Sequence, residues 1–167
     1  MIRLEKFGKA DYDRLIRWVD SEASMIQFSG PIFNYPLTHE QLDKYVSADN
    51  RLVFRVVHSD TNEIIGHAEL NQIDPKNSNA RICRILIGDK QHRNLGFGKA
   101  IIKELIRIGF ENLNLHRLDL GVYDFNQQAI RCYLDCGFEI EGLFKESTKV
   151  GEAYWSAYNM SIINTDQ

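Results

Sequence analysis

Residues 89–106, DKQHRNLGFGKAIIKELI, carry a basic loop with two glycines that leads directly into a helical pattern. Apolar residues recur at helical spacing from 96 to 113, which predicts an amphipathic helix. Gly96 and Gly98 stand at its start, where glycine tolerates positive φ and lets the backbone approach a ligand. The first N–H groups of a helix are unpaired and carry partial positive charge. The loop therefore predicts an anion site, to which Arg93 adds a charge.

The two best-known nucleotide loops do not match this stretch. A Walker loop ends in Gly-Lys-[Ser/Thr], but Ala100 follows Lys99, so the hydroxyl that binds magnesium is missing. The dinucleotide pattern G-x-G-x-x-G fails as well, since Ile101 stands in place of the third glycine. A protein that uses the loop to bind ATP is therefore the least favoured alternative.

Alternating and helical patterns predict the other elements of the chain. Strands are expected at 2–7, 51–58, 63–70, 80–88, 116–122, 138–144 and 153–163, and further helices at 10–20, from Thr38 and from Asn126 to Gly137. The helix that joins 80–88 to 116–122 makes these two strands parallel, whereas the strands before them are expected to be antiparallel neighbours. The prediction is an α+β fold, in which a mixed, mainly antiparallel sheet of about seven strands is flanked by about four helices.

The aromatic-rich stretch FSGPIFNYPL, residues 28–37, is predicted to contain a loop. Its side chains are expected either to line a groove for a peptide or small amine, or to pack in the core. Thr38 follows and starts a helix, and Gln41 completes a capping-box pattern three residues later.

The composition is that of one globular domain, expected over residues 1–167. The chain is 44% hydrophobic and 26% charged, and its formal net charge of −3 argues against a nucleic-acid-binding surface. No apolar segment is long enough to span a membrane, and the N-terminal residues lack a signal-peptide core. Three cysteines, an odd number, suggest no disulfide framework, so a cytoplasmic location is expected. Cys132 and Cys136 have no histidine partner at zinc-like spacing, so no metal site is expected.

Two motifs together resemble a known family. Residues 93–98, Arg-Asn-Leu-Gly-Phe-Gly, fit [Arg/Gln]-x-x-Gly-x-[Gly/Ala], and about 30 residues later NQQAIRCYLDCGF fits Asn-x-x-Ala-x-x-x-Tyr-x-x-x-Gly-Phe. In this order and spacing they resemble the acyl-CoA loop and the following helix of the GCN5-related N-acetyltransferase (GNAT) superfamily. The resemblance covers roughly residues 1–163, and it is closest to the ribosomal-protein N-terminal acetyltransferases and the spermidine acetyltransferases. Asn94 is a departure, because the loop usually has glycine there, so an altered loop geometry that still binds is expected.

The resemblance implies a GNAT fold in which a splayed pair of parallel strands holds acetyl-CoA. The pantetheine arm would pair with the strand backbone at Leu86, Ile87 and Gly88, and Asn126 would either bond this arm or cap its helix. The pyrophosphate would bind at the loop. The residues implied in this contact are Arg93, Asn94, Leu95, Gly96, Phe97, Gly98 and Lys99.

The resemblance also implies direct attack of a primary amine on acetyl-CoA in a ternary complex. Tyr133 matches the tyrosine that protonates the departing thiolate, unless it is only a core residue. Glu69 is the nearest candidate base, with a solvated strand residue as the favoured alternative. The strand before the loop often carries an acidic residue in the family, but here it carries Arg81 and Arg84. If Arg84 points into the acceptor cleft, like-charge repulsion disfavours a polyamine.

Several acceptors stay open on this evidence, among them a protein N-terminal α-amine, a polyamine and other small amines. No nucleic acid, membrane or metal is expected as a partner, and a homodimer is possible. The alternative function is a catalytically weak GNAT-fold module that binds CoA as a regulator or sensor.

Overall fold

A computed structural model describes residues 1–166 and contains a seven-stranded sheet with the order β1-β2-β3-β4-β5-β7-β6. The strands are β1 (Ile2–Lys6), β2 (Leu52–His58), β3 (Ile64–Asp74), β4 (Asn79–Ile87), β5 (Arg117–Tyr123), β6 (Glu139–Val150) and β7 (Ala153–Ile163). The helices are α1 (Tyr12–Trp18), α2 (Glu22–Ser29), α3 (His39–Ser47), α4 (Phe97–Arg107) and α5 (Gln127–Asp135). Strands β4 and β5 are parallel and the other neighbouring strands are antiparallel, which confirms the predicted mixed sheet. Among these helices none is long and apolar enough to cross a membrane.

Helix α2 was not predicted from the sequence. Ser21 caps it by accepting a hydrogen bond from the Ser24 N–H at 3.1 Å, and Ser24 Oγ accepts one from the Ser21 N–H at 3.2 Å. The buried apolar residues Met25 and Ile26 are adjacent in sequence. Because adjacent residues do not produce a helical repeat, the pattern of this segment carries little periodic signal.

The start of α3 confirms one half of the predicted capping box. Thr38 Oγ1 accepts a hydrogen bond from the Gln41 N–H at 3.3 Å. The Gln41 side chain turns to the preceding loop instead of the Thr38 N–H. Its Oε1 accepts from the Asn34 N–H at 2.8 Å, and its Nε2 donates to the Asn34 and Pro36 carbonyls. The loop after α2 is therefore tied to α3.

Alternate strand residues face two separate hydrophobic cores, one on each side of the sheet. One core packs α4 and α5 against the sheet, and its fully buried members include Ala68, Ile101, Leu105, Leu118 and Met160. The other packs α1, α2 and α3 on the opposite face, and its buried members include Tyr12, Leu15, Met25, Leu42 and Tyr45. β6, at the edge, is exposed along most of its length.

Strands β4 and β5 separate halfway along their length. Their pairing runs from Asn79 opposite Arg117 to Ile82 opposite Leu120 and then stops, although both strands continue. Arg84 has a φ of 50°, which marks an irregular backbone where the strands part. The gap that the family resemblance implies is therefore present, and it opens at Cys83.

Candidate active site

The loop before α4 has the backbone of an anion-binding turn. Gly96 caps the helix with a φ of 83°, in the left-handed region that glycine adopts readily. Asn94 is also left-handed, with a φ of 63°, and asparagine tolerates this conformation better than most residues. Its Oδ1 accepts a hydrogen bond from Gln128 Nε2 of α5. Asparagine thus supplies a glycine-like backbone and also ties the loop to the next helix.

Arg93 fastens this loop to the end of β4. Its Nη2 donates to the Gly88 carbonyl at 2.9 Å and its Nε to the Ile87 carbonyl at 3.3 Å. The contact of Arg93 with a phosphate stays a prediction, because the observed hydrogen bonds hold its guanidinium at backbone carbonyls.

One edge of β4 between Leu86 and Gly88 is paired with β3, and the other edge faces the gap. Leu86 pairs with His67, and the Gly88 N–H donates to the Ile65 carbonyl at 3.0 Å. Trp18 covers this segment so closely that a Cβ added to Gly88 would lie 1.9 Å from its indole. The strand end is therefore held by β3 and Trp18, and its contact with a pantetheine arm stays a prediction.

Tyr133 projects from α5 with a hydroxyl that no residue from 1 to 166 hydrogen-bonds. Its ring centroid lies 6.2 Å from that of Phe138. Burial raises the pKa of Tyr133 above its usual value, and the neighbouring thiols of Cys132, Cys136 and Cys83 add to the rise. The Cys83 contribution shows that Tyr133 lies near the point where the gap opens.

Asn126 starts α5, and its Oδ1 accepts a hydrogen bond from the Ala129 N–H at 3.2 Å. The helix-capping interpretation of Asn126 is therefore confirmed, and its contact with pantetheine stays a prediction. The helix ends at Gly137, which has a φ of 96°, while the Phe138 N–H bonds the Tyr133 carbonyl at 3.1 Å.

Glu69 is fully buried, so its interpretation as a solvated strand residue was wrong. Its Oε2 accepts hydrogen bonds from the Tyr45 hydroxyl and from Arg84 Nη1, the latter at 2.6 Å. Arg51 Nη1 lies 3.6 Å from Oε1. Glu69 lies opposite Cys83 in the pairing of β3 with β4, and Cys83 adds to the rise in the pKa of Tyr133. Both candidate catalytic side chains therefore lie near Cys83, and their joint action stays a prediction.

His67 completes a set of buried side chains that we call the Glu69 cluster, formed by Tyr45, Arg51, His67, Glu69 and Arg84. His67 Nε2 lies 3.1 Å from the Tyr45 hydroxyl oxygen. Because Tyr45 donates its proton to Glu69, His67 must donate through Nε2 and leave Nδ1 unprotonated. Burial, followed by the charge of Arg84, lowers the pKa of His67 to about 3, so this ring is neutral.

The sequence analysis had not found Tyr45, Arg51 or His67 as members of the site. The only local signal was that His67 and Glu69 are two residues apart on β3 and therefore share one face of the strand. That face is covered by the apolar core of α1, α2 and α3.

A cavity of about 260 Å³ lies between α2, the loop after it and the β6–β7 hairpin. Its walls include Glu22, Phe33, Tyr35 and Lys149. The ring of Phe33 packs edge-to-face on Tyr45 with centroids 5.2 Å apart, so one aromatic layer separates the cavity from the Glu69 cluster. The core interpretation of the aromatic stretch is confirmed at Phe33, which also lines the cavity, and a groove for a peptide or small amine stays a prediction.

The three cysteines are free, and burial raises the pKa of Cys136 to about 11, which keeps this thiol protonated. Within residues 1–166, no group of three or more His, Cys, Asp or Glu side chains is arranged to hold a metal ion.

The chain matches the model of the Acetyltransferase (GNAT) family over residues 14–138. It is 29% identical over 113 residues to the uncharacterized N-acetyltransferase p20 of Bacillus licheniformis, covering 68% of this chain and 62% of that protein. Identity to the L-amino acid N-acetyltransferase AaaT of Escherichia coli is 30% over 115 residues, covering 68% of this chain and 70% of that protein.

The spermidine N(1)-acetyltransferase of Vibrio cholerae is 28% identical over 138 residues, covering 83% of this chain and 78% of that protein. A crystal structure of spermidine N-acetyltransferase from Vibrio cholerae in complex with CoA and spermine aligns with a TM-score of 0.82. That alignment covers 97% of this chain and 95% of the other at 24% identity, so it shows a shared fold.

Proposed function

The chain belongs to the Acetyltransferase (GNAT) family and is an N-acetyltransferase, and from this premise we propose that the gap between β4 and β5 binds acetyl-CoA and presents its thioester to a primary amine. The observation that carries the proposal is the gap itself, with a glycine loop and helix N-terminus at one end and Tyr133 near the other. The acceptor is a small-molecule amine or a peptide N-terminus.

The loop and the open edge of β4 bind the donor. Backbone N–H groups of residues 94–99 hold the pyrophosphate, aided by the partial charge of the α4 terminus. A Cβ placed on Gly96 or Gly98 would meet no atom within 4 Å, so the loop leaves open space in front of it. The edge of β4 that faces away from β3 at Leu86–Gly88 offers strand-like hydrogen bonds to the pantetheine amides, although the Ile87 carbonyl already accepts one from Arg93.

The chemistry is attack of the neutral amine on the thioester carbonyl carbon. An alkyl ammonium has a pKa of about 10.4, so it must lose a proton before it attacks. A C–N bond forms, the C–S bond breaks, and the amine proton passes to a base. Tyr133 donates its hydroxyl proton to the departing sulfur, and its raised pKa keeps that proton in place at neutral pH.

Glu69 is the proposed base, acting directly or through water. Its Oε1 accepts no hydrogen bond from the described residues and is therefore free to take a proton. The alternative, a catalytically weak module that binds CoA, is favoured by one observation. Arg84 and Tyr45 already occupy the other oxygen of this carboxylate.

The test is release of CoA thiol from acetyl-CoA in the presence of amino acids, peptides, polyamines and aminoglycosides. Tyr133→Phe removes only the hydroxyl group and keeps the ring, so we expect kcat to fall roughly 10²- to 10⁴-fold while acetyl-CoA still binds. The matched control is Tyr12→Phe, which removes a hydroxyl bonded to Asp43 in the other core. Tight acetyl-CoA binding with no turnover on any amine, in the wild type and in Tyr133→Phe alike, would support the regulatory module instead.

The expected homodimer stays a prediction. The edge strand β6 exposes Ile140, Leu143 and Phe144, each more than two-fifths accessible, on a surface that a second copy would have to cover.

A further inference from the structure

The Glu69 cluster contains more positive than negative charge. Two guanidiniums, those of Arg51 and Arg84, share the one carboxylate of Glu69. The Arg51 side chain is 13% exposed and that of Arg84 only 7%, and His67 is neutral. Because an uncompensated charge is costly away from water, this cluster needs one more anion.

The unpaired polar atoms of the cluster are of two kinds. Arg51 Nε and Nη1 and Arg84 Nε are buried donors with no hydrogen-bond partner among the described residues. Glu69 Oε1 and His67 Nδ1 are buried acceptors that also lack one, and so is Oδ1 of Asn71, which lies beside the cluster on β3. Native proteins leave few such atoms unpaired, so each indicates a group that binds there. A carboxylate would satisfy the donors, and an amine would satisfy the acceptors.

The position of the cluster fits an acceptor site. Arg84 follows Cys83, where the gap opens, Glu69 lies opposite Cys83 on β3, and Cys83 in turn lies near Tyr133. The Tyr45 ring faces both guanidiniums, with centroid distances of 4.9 Å to Arg51 and 5.4 Å to Arg84. The cluster therefore lies between the proposed point of acetyl transfer and the 260 Å³ cavity.

We propose that the acceptor amine carries a carboxylate close to its nitrogen, as an α-amino acid does, and that Arg51 and Arg84 bind this carboxylate. The amine then lies toward Glu69 Oε1 and Asn71 Oδ1. This assignment rests on the proposed acetyl transfer. A polyamine satisfies only the acceptors and adds positive charge to a cluster that already has a surplus, so it is the disfavoured acceptor.

Matched pairs of amines test the proposal. CoA release is measured with α-amino acids, with the corresponding amino acid amides and with spermidine. We expect kcat/KM for the best amino acid to exceed that for its amide by roughly 10- to 100-fold, the value of a lost charge-assisted contact. Peptides that begin with Asp or Glu distinguish recognition of an α-carboxylate from recognition of a side-chain carboxylate. In these peptides the first residue keeps its side-chain carboxylate, but its α-carboxylate is part of a peptide bond.

Arg51→Gln removes the guanidinium that makes no hydrogen bond in the cluster, so it should bring the kcat/KM ratio of amino acid to amide close to one. Arg51→Lys keeps a positive charge and should restore part of this ratio. Arg55→Gln is the matched control, since Arg55 lies on β2, which begins directly after Arg51, but pairs with Glu5. We expect it to leave the ratio unchanged. As a second readout, the preferred amino acid should raise the Tm of the wild type and not that of Arg51→Gln.

Equal or better turnover of the amides or of spermidine overturns the assignment, and so does an unchanged ratio in Arg51→Gln. Failure of the proposed function would look different, because no amine in the panel would then release CoA.

Discussion

The buried surroundings of His67 keep its ring neutral. Phe7 and Phe28 meet its ring edge-to-face, with centroids 4.7 and 5.6 Å away, and Tyr45 accepts its Nε2–H. Charging this ring would place a second cation beside Arg84 in a buried space. The pKa of about 3 is the consequence of that burial and charge.

This buried histidine should make stability depend on pH. An unfolded histidine has a pKa of about 6.5, so between pH 6.5 and 3 the unfolded chain binds one more proton than the folded chain. The contribution of neutral His67 to the free energy of unfolding should therefore be fully present above pH 6.5. Below that pH the free energy of unfolding should fall by up to about 1.4 kcal/mol per pH unit. Urea unfolding at pH 7, 6 and 5 measures this slope.

His67→Gln keeps a donor for Tyr45 but does not titrate, so its slope should be shallower than that of the wild type. The matched control is His116→Gln, which replaces an exposed histidine and should leave the slope unchanged. An identical slope in all three proteins would show that His67 is already charged or that it titrates normally.

At the scale of single elements, the turn before α4 depends on its left-handed residues. A β-branched residue at Gly96 would be strained by about 1–2 kcal/mol at a φ of 83°, or would move the helix N-terminus. We expect Gly96→Val to weaken acetyl-CoA binding roughly 10-fold, measured by calorimetry. Asn94→Gly is the control, because it relieves a left-handed residue and removes only the contact to Gln128.

For the control we expect affinity within about threefold of the wild type, since the hydrogen bond to Gln128 is exposed and such bonds contribute about 1 kcal/mol or less. If Gly96→Val bound acetyl-CoA as tightly as Asn94→Gly does, the turn would have no part in holding the donor.

Local patterns predicted the elements whose signal lies within a few residues. Gly96 lies directly before α4 and Gly98 in its first turn, and Asn126 and Gly137 lie at the two ends of α5, as predicted. Helix α2 was missed because its buried residues are adjacent and its shape comes from packing on β4 and the following loop.

The composition of the site was less predictable, because its partners come from distant parts of the chain. Glu69 is bonded by Tyr45 of α3 and by Arg84 of β4, and Arg51, just before β2, lies near its other oxygen. None of these three partners can be predicted from the pattern around position 69, which by itself indicates an ordinary strand. Arg84 turns toward Glu69 at an irregular backbone position that no strand repeat indicates.

For the whole molecule, the arrangement of the sheet places the gap of the proposed donor site between the two cores. The α4–α5 core covers one face and the α1–α3 core covers the other, while β4 and β5 part between them. A molecule in this gap would contact the glycine loop at one end and the neighbourhood of Tyr133 and Glu69 at the other. In the proposed function, this gap joins the loop before α4 to the buried cluster.

A crystal structure of the protein bound to CoA tests this account most directly. It should show the pyrophosphate on the N–H groups of residues 94–99, the pantetheine arm along Leu86–Gly88, and the thiol within hydrogen-bonding reach of the Tyr133 hydroxyl. CoA bound away from the gap, or with its thiol remote from Tyr133, would contradict the account.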